Sequence, residues 1–385
     1  MHHPVIQLKK GREKSAANFH PWIFSGAIEK AENIPHGDIA IVRASDGKVL
    51  GHGFYDQHSQ ITCRLFHFDD NASDFTKADY WQNKIEKAFF LRKQQIDFNQ
   101  TNCYRLIHAE GDHFPGLIVD VYQNTAVVQL LVEGTVKIKN LIFDAIEHLG
   151  VHKIFVKNDP GKSNGYWVKG PGEDEITVLE NGLKYYVNVV QGQKTGFFLD
   201  QRENRRLVST CSKGKNVLNL FSYTGGFSVA AGYGGAAKVT SVDVSASAMA
   251  LCIKNMQLNF PDILHQAIES DGFQFLRETE EQFDMIVIDP PAFAKHRSAV
   301  NKATRGYKEL NMTAIRKVAS PGIIFTFSCS QHISRDLFQK IVFGAAADAR
   351  RSVRILKHLE QPEDHPVSIF HPEGEYLKGL WLWVD

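Results

Sequence analysis

The sequence lacks most of the features that would settle its class at once. It has no run of roughly 18 apolar residues, so it offers no candidate membrane-spanning helix. Its first residues, Met1-His2-His3-Pro4-Val5, carry no apolar core of a secretion signal. Cysteine is scarce: Cys63, Cys103, Cys211, Cys252 and Cys329 are odd in number, scattered, and never spaced C-x-x-C. That argues against a disulfide framework and against a zinc site. The histidines His296, His332, His365 and His371 form no i, i+4 pair, so no metal is expected. Internal repeats and low-complexity tracts are absent. The net charge of +1 neither demands nor excludes a nucleic-acid partner. A reducing, cytoplasmic compartment without a membrane fits these absences.

What is present is a chain of 385 residues, long enough for roughly two to three domains. Residues 1–72 read as short strands between turns, including Asp38-Ile39-Ala40-Ile41-Val42-Arg43, Val49 to Tyr55 and Gln60 to Phe66. Residues 73–190 read as a small α+β block. It has helical periodicity at 77–95 and 136–149, and strands such as Leu117 to Tyr122 and Thr125 to Leu131. From 191 to 385 the pattern alternates strand and helix, with strands at 216–221, 238–244, 264–270, 283–288, 322–327 and 352–359. Such alternation implies a mostly parallel sheet with helices on both faces. The expected fold is therefore multidomain α/β.

In open α/β sheets, ligands bind beyond the carboxyl ends of the strands. Here those ends carry chemistry. The first strand runs into Asn219-Leu220-Phe221-Ser222-Tyr223-Thr224-Gly225-Gly226. Paired glycines let backbone approach a ligand, although they also make ordinary tight connections. The pattern is not G-x-G-x-x-G, and no P-loop lysine follows it. The second strand ends in Asp243, placed to hold ribose hydroxyls, and the third in Asp271, placed to meet an adenine amine. Acids rather than phosphate ligands in such a pocket suit S-adenosylmethionine, whose ribose and amine need acceptors and whose sulfonium is positive.

The fourth strand ends in Asp289-Pro290-Pro291-Ala292-Phe293 and the fifth in Phe327-Ser328-Cys329-Ser330. Asp289 suits an N-cap or a rigidly held anchor for a base edge. A lone cysteine is commonly a small buried hydrophobe, but Ser328 and Ser330 favour a solvent-reachable strand end for Cys329. A thiol and a carboxylate at one edge suit methylation of a pyrimidine carbon. Two basic clusters also stand out. One holds Lys9, Lys10, Arg12 and Lys14; the other contains Lys295, Arg297, Lys302 and Arg305 and continues through Lys308, Arg316 and Lys317. Either could be a solvated face, but the second directly follows Asp289 and is expected to meet RNA phosphates.

Several stretches together resemble one family. They are Gln193-Lys194-Thr195-Gly196-Phe197-Phe198-Leu199-Asp200-Gln201-Arg202, the Asn219–Phe227 turn, Asp289-Pro290-Pro291, Thr326-Phe327-Ser328-Cys329-Ser330, Asp364-His365-Pro366-Val367 and Pro372-Glu373-Gly374-Glu375-Tyr376-Leu377-Lys378-Gly379. The match extends more thinly to His20-Pro21-Trp22 and Gly53-Phe54-Tyr55. They resemble the ribosomal RNA large-subunit methyltransferase I family, which makes 5-methylcytosine in 23S ribosomal RNA with S-adenosylmethionine. The resemblance implies an N-terminal PUA-like RNA-binding β-barrel, a central α+β linker and a class I, Rossmann-like methyltransferase domain. It implies Cys329 as the nucleophile, Asp289 as the acid of the fourth motif, and Asp243 as the ribose-binding acid. Lys194, Phe198, Asp200 and Arg202 are assigned to the cofactor mouth on the same ground. Many RNA 5-methylcytosine enzymes have a second cysteine beside the motif-four prolines; this chain has Ala292 there, so the base that removes the C5 proton is left unnamed.

The expected activity is therefore covalent methylation of cytosine C5, with 23S ribosomal RNA as partner. Two other readings stand beside it: an N-methyltransferase acting on an exocyclic amine of RNA or DNA, and an RNA-binding assembly factor with a vestigial cofactor pocket. Neither needs Cys329. The modified nucleotide and the oligomeric state, a homodimer included, are open at this level.

Overall fold

The computed structural model describes residues 3–69, 74–162, 164–294 and 296–385. The expected boundary at 72/73 and the basic residue Lys295 lie outside the described residues. The chain forms two compact units, each discontinuous in sequence. The first comprises Met1–Val178, Val187–Leu199 and Glu363–Gly374; the second comprises Leu179–Tyr186, Asp200–Pro362 and Glu375–Asp385.

The first unit contains two sheets. One is six-stranded, in the order Trp22–Phe24, Ile61–His67, Val49–Tyr55, Ile39–Arg43, Val5–Leu8, Ile28–Ala31. Ile39–Arg43 alternates buried and half-exposed residues, which places Ala40 and Val42 in the core, whereas Val49–Tyr55 is buried from Leu50 to Phe54. The other sheet is five-stranded, in the order Tyr166–Lys169, Lys153–Asn158, Thr125–Leu130, Leu117–Tyr122, Cys103–His108. Its central strands are buried along nearly their whole length, which their near-continuous apolar composition allows. Helices Ala78–Gln95 and Lys139–His148 pack in the same core through Trp81, Ile85, Ile142 and Ile146.

The second unit is built on one seven-stranded sheet. Its strands, in chain order, are β1 (Asn216–Leu220), β2 (Lys238–Asp243), β3 (Leu264–Glu269), β4 (Phe283–Ile288), β5 (Val318–Ser328), β6 (Val353–Leu359) and β7 (Lys378–Val384). The spatial order is 3-2-1-4-5-7-6, with β1 to β5 parallel and β7 antiparallel to both its neighbours. Helix α1 (Arg202–Cys211) precedes β1, and helices α2 (Gly226–Tyr233), α3 (Ala246–Asn259), α4 (Gly272–Glu278), α5 (Val300–Lys317) and α6 (Arg335–Ala349) follow β1 to β5 in turn. Three begin on a side-chain cap: Ser245 for α3, Asp271 for α4 and Ser334 for α6. The sheet and helices α5 and α6 share a core that includes Ile286, Ile288, Leu310, Ile324, Phe338, Ile341 and Leu382.

The sequence reading gives six strands here, and the structure adds β7. It lies between β5 and β6 and inserts Leu380, Leu382 and Val384 into the core. The parallel register aligns Ile268, Val242, Leu220, Ile288 and Thr326 in one row across β3, β2, β1, β4 and β5. Asp243 and Asp289 each follow that row by one residue, on the two neighbours of β1. Strand order reverses at β1, so both acids flank a topological switch point, where open α/β sheets bind ligands.

Candidate active site

The turn after β1 is held open by its backbone. Phe221, Tyr223 and Gly225 have φ of 59°, 48° and 82°, which is unusual for the two aromatic residues and natural for the glycine. A Cβ on Gly225 would stand 2.5 Å from Cys252 Sγ on α3, so the turn can lie close to that helix only with glycine here. Asp243 fixes the turn from β2. Its carboxylate accepts from the Tyr223 and Ser245 amides, each at 2.9 Å. Ser222 N donates to Val242 O at 3.0 Å, and buried Asn255 of α3 donates to Thr224 O at 2.9 Å.

Those bonds orient Asp243 without exhausting it, because each carboxylate oxygen has two acceptor sites. Inside the turn, Asn219 donates to Ser228 Oγ at 2.8 Å, while the buried Asn219 Oδ1 and Thr224 Oγ1 have no hydrogen-bond partner among the described residues. Buried polar atoms are rarely left unmet without cause. Half-buried Phe221, Phe273 and Phe293 form one wall across the ends of β1, β3 and β4. Phe221 meets Phe273 edge-on at 6.2 Å, and Phe273 meets Phe293 at 5.9 Å. An apolar wall beside polar acceptors fits the adenosine of S-adenosylmethionine. Asp271 is exposed, and its Oδ1 caps α4 by accepting from Gln274 N at 2.9 Å. The place of Phe273 and Phe293 in this wall is an addition to the sequence reading; Phe273 stands two residues after Asp271, and Phe293 four after Asp289.

The thiol end is organised by serines. Ser330 is fully buried and accepts from Ala294 N at 3.1 Å, while its hydroxyl pairs with Tyr307 OH at 2.9 Å. Those bonds tie the end of β5 to the loop after β4 and to α5. Between two buried serines, Cys329 stays partly exposed, and its Sγ lies 3.8 Å from Pro290 O, next to Asp289. The other thiols differ. Cys63, Cys103 and Cys252 are buried, and burial pushes Cys63 up to about 12 and Cys252 up to about 11. Partly buried Cys211 is raised by the same cause.

Around the cofactor-mouth motif, Asp200 is buried and accepts from Tyr376 OH at 2.6 Å, and Arg202 is buried with Nε 3.6 Å from Glu203. Both belong to the second unit, whereas Lys194 and Phe198 belong to the first, with Lys194 Nζ 4.4 Å from the Phe198 ring centroid. The basic segment divides by use. Lys308 pairs with Asp348, Arg316 donates to Asp348 O, and Lys317 donates to Thr279 O. Arg297, Lys302 and Arg305 are exposed. In the first unit Lys9, Lys10 and Arg12 are exposed, with Lys9 reaching Gly26 O. Among the described residues, no group of three or more potential metal ligands occurs and no helix is long and apolar enough to cross a membrane.

A family model for S-adenosylmethionine-dependent methyltransferases matches residues 139–372, and one for PUA-like domains matches residues 6–68. The fold and site thus define an S-adenosylmethionine-dependent methyltransferase with a PUA-like N-terminal domain. A structure described as a methyltransferase complexed with SAH, SMU.776, shares the fold with a TM-score of 0.86 at 24% identity, over 98% of this chain and 99% of that one. More particularly, the chain belongs to the ribosomal RNA large subunit methyltransferase I family. The protein of that name from Alteromonas mediterranea is 41% identical over 97% of each chain. That from Pseudoalteromonas atlantica is 42% identical over 97% of this chain and 98% of its own.

Proposed function

We propose that this enzyme methylates C5 of a cytosine in 23S ribosomal RNA through a covalent bond between Cys329 and C6. The observation that carries the reading is the position of Cys329: a partly exposed thiol at the end of β5, 3.8 Å from the carbonyl of Pro290, the residue that follows Asp289. The name shared by the relatives supports large-subunit ribosomal RNA as the substrate.

S-adenosylmethionine supplies an electrophilic methyl group on its sulfonium. Asn219, the Phe221–Gly225 turn and Asp243 hold that cofactor, with Asp271 at the third strand end. Asp289 accepts a hydrogen bond from the exocyclic amine of cytosine and orients the ring. The target base lies in single-stranded RNA or is extruded at a cost of a few kcal/mol. The Cys329 thiolate forms an S–C6 bond, and the electron pair released from C5=C6 makes C5 nucleophilic toward the methyl group. Once C5 carries the methyl group, a base takes the C5 proton, and the electron pair left behind restores the double bond and expels the thiolate. Covalent catalysis is needed because C5 of cytosine is otherwise a poor nucleophile. Arg297, Lys302 and Arg305 neutralise RNA phosphates, and so do Lys9, Lys10 and Arg12 on the PUA-like domain.

Trapping tests this. RNA carrying 5-fluorocytidine at the target should form a stable adduct with the native enzyme, because fluorine does not leave as a proton does. Cys329→Ala should form none and should lose methyl transfer by orders of magnitude, with cofactor binding retained. Alanine at Cys63, Cys103, Cys211 or Cys252 should leave the adduct in place. Near-native methylation by Cys329→Ala would replace this reading with methylation of an exocyclic amine.

A further inference from the structure

Beside Cys329 lies a group that none of the steps above uses. Lys378, the first residue of β7, is opposite Ser328 in the β5–β7 register. Only 3% of its surface is exposed, which is rare for a lysine unless a counter-charge is present. Its ammonium donates to the carbonyl of Ser330, the residue after Cys329, at 3.0 Å. Among the described residues no carboxylate forms an ion pair with it. The nearest acid in sequence, Glu375, is held by Arg335 at 2.7 Å, and Arg335 also reaches Glu360 at 3.1 Å.

The charged and titratable groups that bear on Lys378 are therefore few. Burial pulls its ammonium down to about 8; Glu375 and Cys329 act to raise it and Arg335 to lower it. From α5, Tyr307 contributes a phenol that burial raises, so it stays neutral. Cys329 is the acidic group adjacent to the carbonyl on which Lys378 is anchored.

We propose that Lys378 is the positioning residue that keeps Cys329 ionised, its ammonium serving as the counter-charge of the thiolate. The inference rests on the reading of Cys329 as nucleophile. In the resting enzyme the S–H bond of Cys329 breaks and its proton passes to solvent water, while Lys378 stays an ammonium throughout. When sulfur bonds to C6 the ammonium is unchanged, and elimination of the thiolate restores the original pair. Lysines beside cysteines lower thiol pKa values by this electrostatic route.

Alkylation of the full-length protein by iodoacetamide, followed peptide by peptide in a mass spectrometer between about pH 6 and 10, reads the ionisation of each thiol. The midpoint for Cys329 in the native protein should lie below the ordinary thiol value of about 8.5. Lys378→Met should raise it by at least about one pH unit, which is a roughly tenfold slower alkylation at pH 7. Lys378→Arg, which keeps the charge, should hold the midpoint nearer the native value. A native midpoint at or above the ordinary value, or one unmoved by Lys378→Met in protein that still binds cofactor, would overturn the proposal. The native measurement decides even if Lys378→Met does not fold. The 5-fluorocytidine adduct reports the nucleophile separately. No adduct with a low, lysine-dependent midpoint would count against carbon methylation alone; an adduct with an unshifted midpoint would count against Lys378 alone.

Discussion

The first unit and the strand ends of the second unit treat buried cations differently. In the first, Arg92 and Arg105 are each held by a buried carboxylate. Arg92 meets Asp112 at 2.5 and 2.7 Å, and Arg105 meets Asp120 at 2.7 and 2.8 Å. Their surroundings complete the network. Asp364 accepts from the Arg105 amide at 3.0 Å and pairs with His365 at 2.9 Å, and Thr195 donates to Asp120 at 2.5 Å. In the second, Arg205 is matched in the same way by Glu180, at 2.7 and 2.6 Å. Lys378 at the strand ends has a backbone carbonyl instead. Asn219 Oδ1 and Thr224 Oγ1, at the same sheet edge, have no partner among the described residues. A closed network of charges specifies structure. Polar groups left open at a strand end are available to a ligand, and an unmet buried group costs free energy that such a partner would recover.

The comparison can be broken most sharply in the first unit. Arg105→Met should destabilise the protein by about 3–5 kcal/mol, since it strands the Asp120 carboxylate in the core. Urea unfolding would read this as a lower midpoint at unchanged slope. The exposed pair Arg277–Glu309 serves as the control, where loss of the arginine should change stability by less than about 1 kcal/mol. Equal effects at the two sites would remove the distinction between closed and solvated pairs.

At the open edge, the cost should appear in binding. Asp243→Ala should weaken S-adenosylmethionine by roughly 1–3 kcal/mol, the range for one lost hydrogen bond to a charged group. Calorimetry showing unchanged affinity in folded protein would leave Asp243 with only its turn-fixing bonds to Tyr223 and Ser245. The smallest effect should fall on the surface. Alanine at Arg297, Lys302 and Arg305 should flatten the salt dependence of RNA binding by about one slope unit for each phosphate no longer neutralised. An unaltered slope would make that face a solvated one.

Much of this was legible before the fold. Parallel strands buried on both faces need continuous apolar runs, so Phe283-Asp284-Met285-Ile286-Val287-Ile288 announced β4 to the residue. The strand-helix alternation announced the methyltransferase sheet. Strand β7 was missed although Leu380, Leu382 and Val384 alternate, because a short run at the chain end carries no flanking helix to frame it. Asp364-His365 was legible as a family motif without a role. Its role is the network around Arg105, more than 250 residues away in sequence.

The sequence by itself determined which chemical groups the protein owns and which strands carry them: a thiol between two serines, an acid before two prolines, and a glycine turn with an acid beyond it. Those follow from local pattern, since a strand and the loop after it are written in neighbouring residues. Only the tertiary structure decided which groups face one another. Strand order 3-2-1-4-5-7-6 set Asp243 and Asp289 on either side of β1, and the antiparallel return of β7 brought Lys378 opposite Ser328, beside the thiol. The register of a strand against its partner is fixed by which apolar side chains fill the shared core. That choice is made by packing among residues distant in the chain, and no local spacing records it.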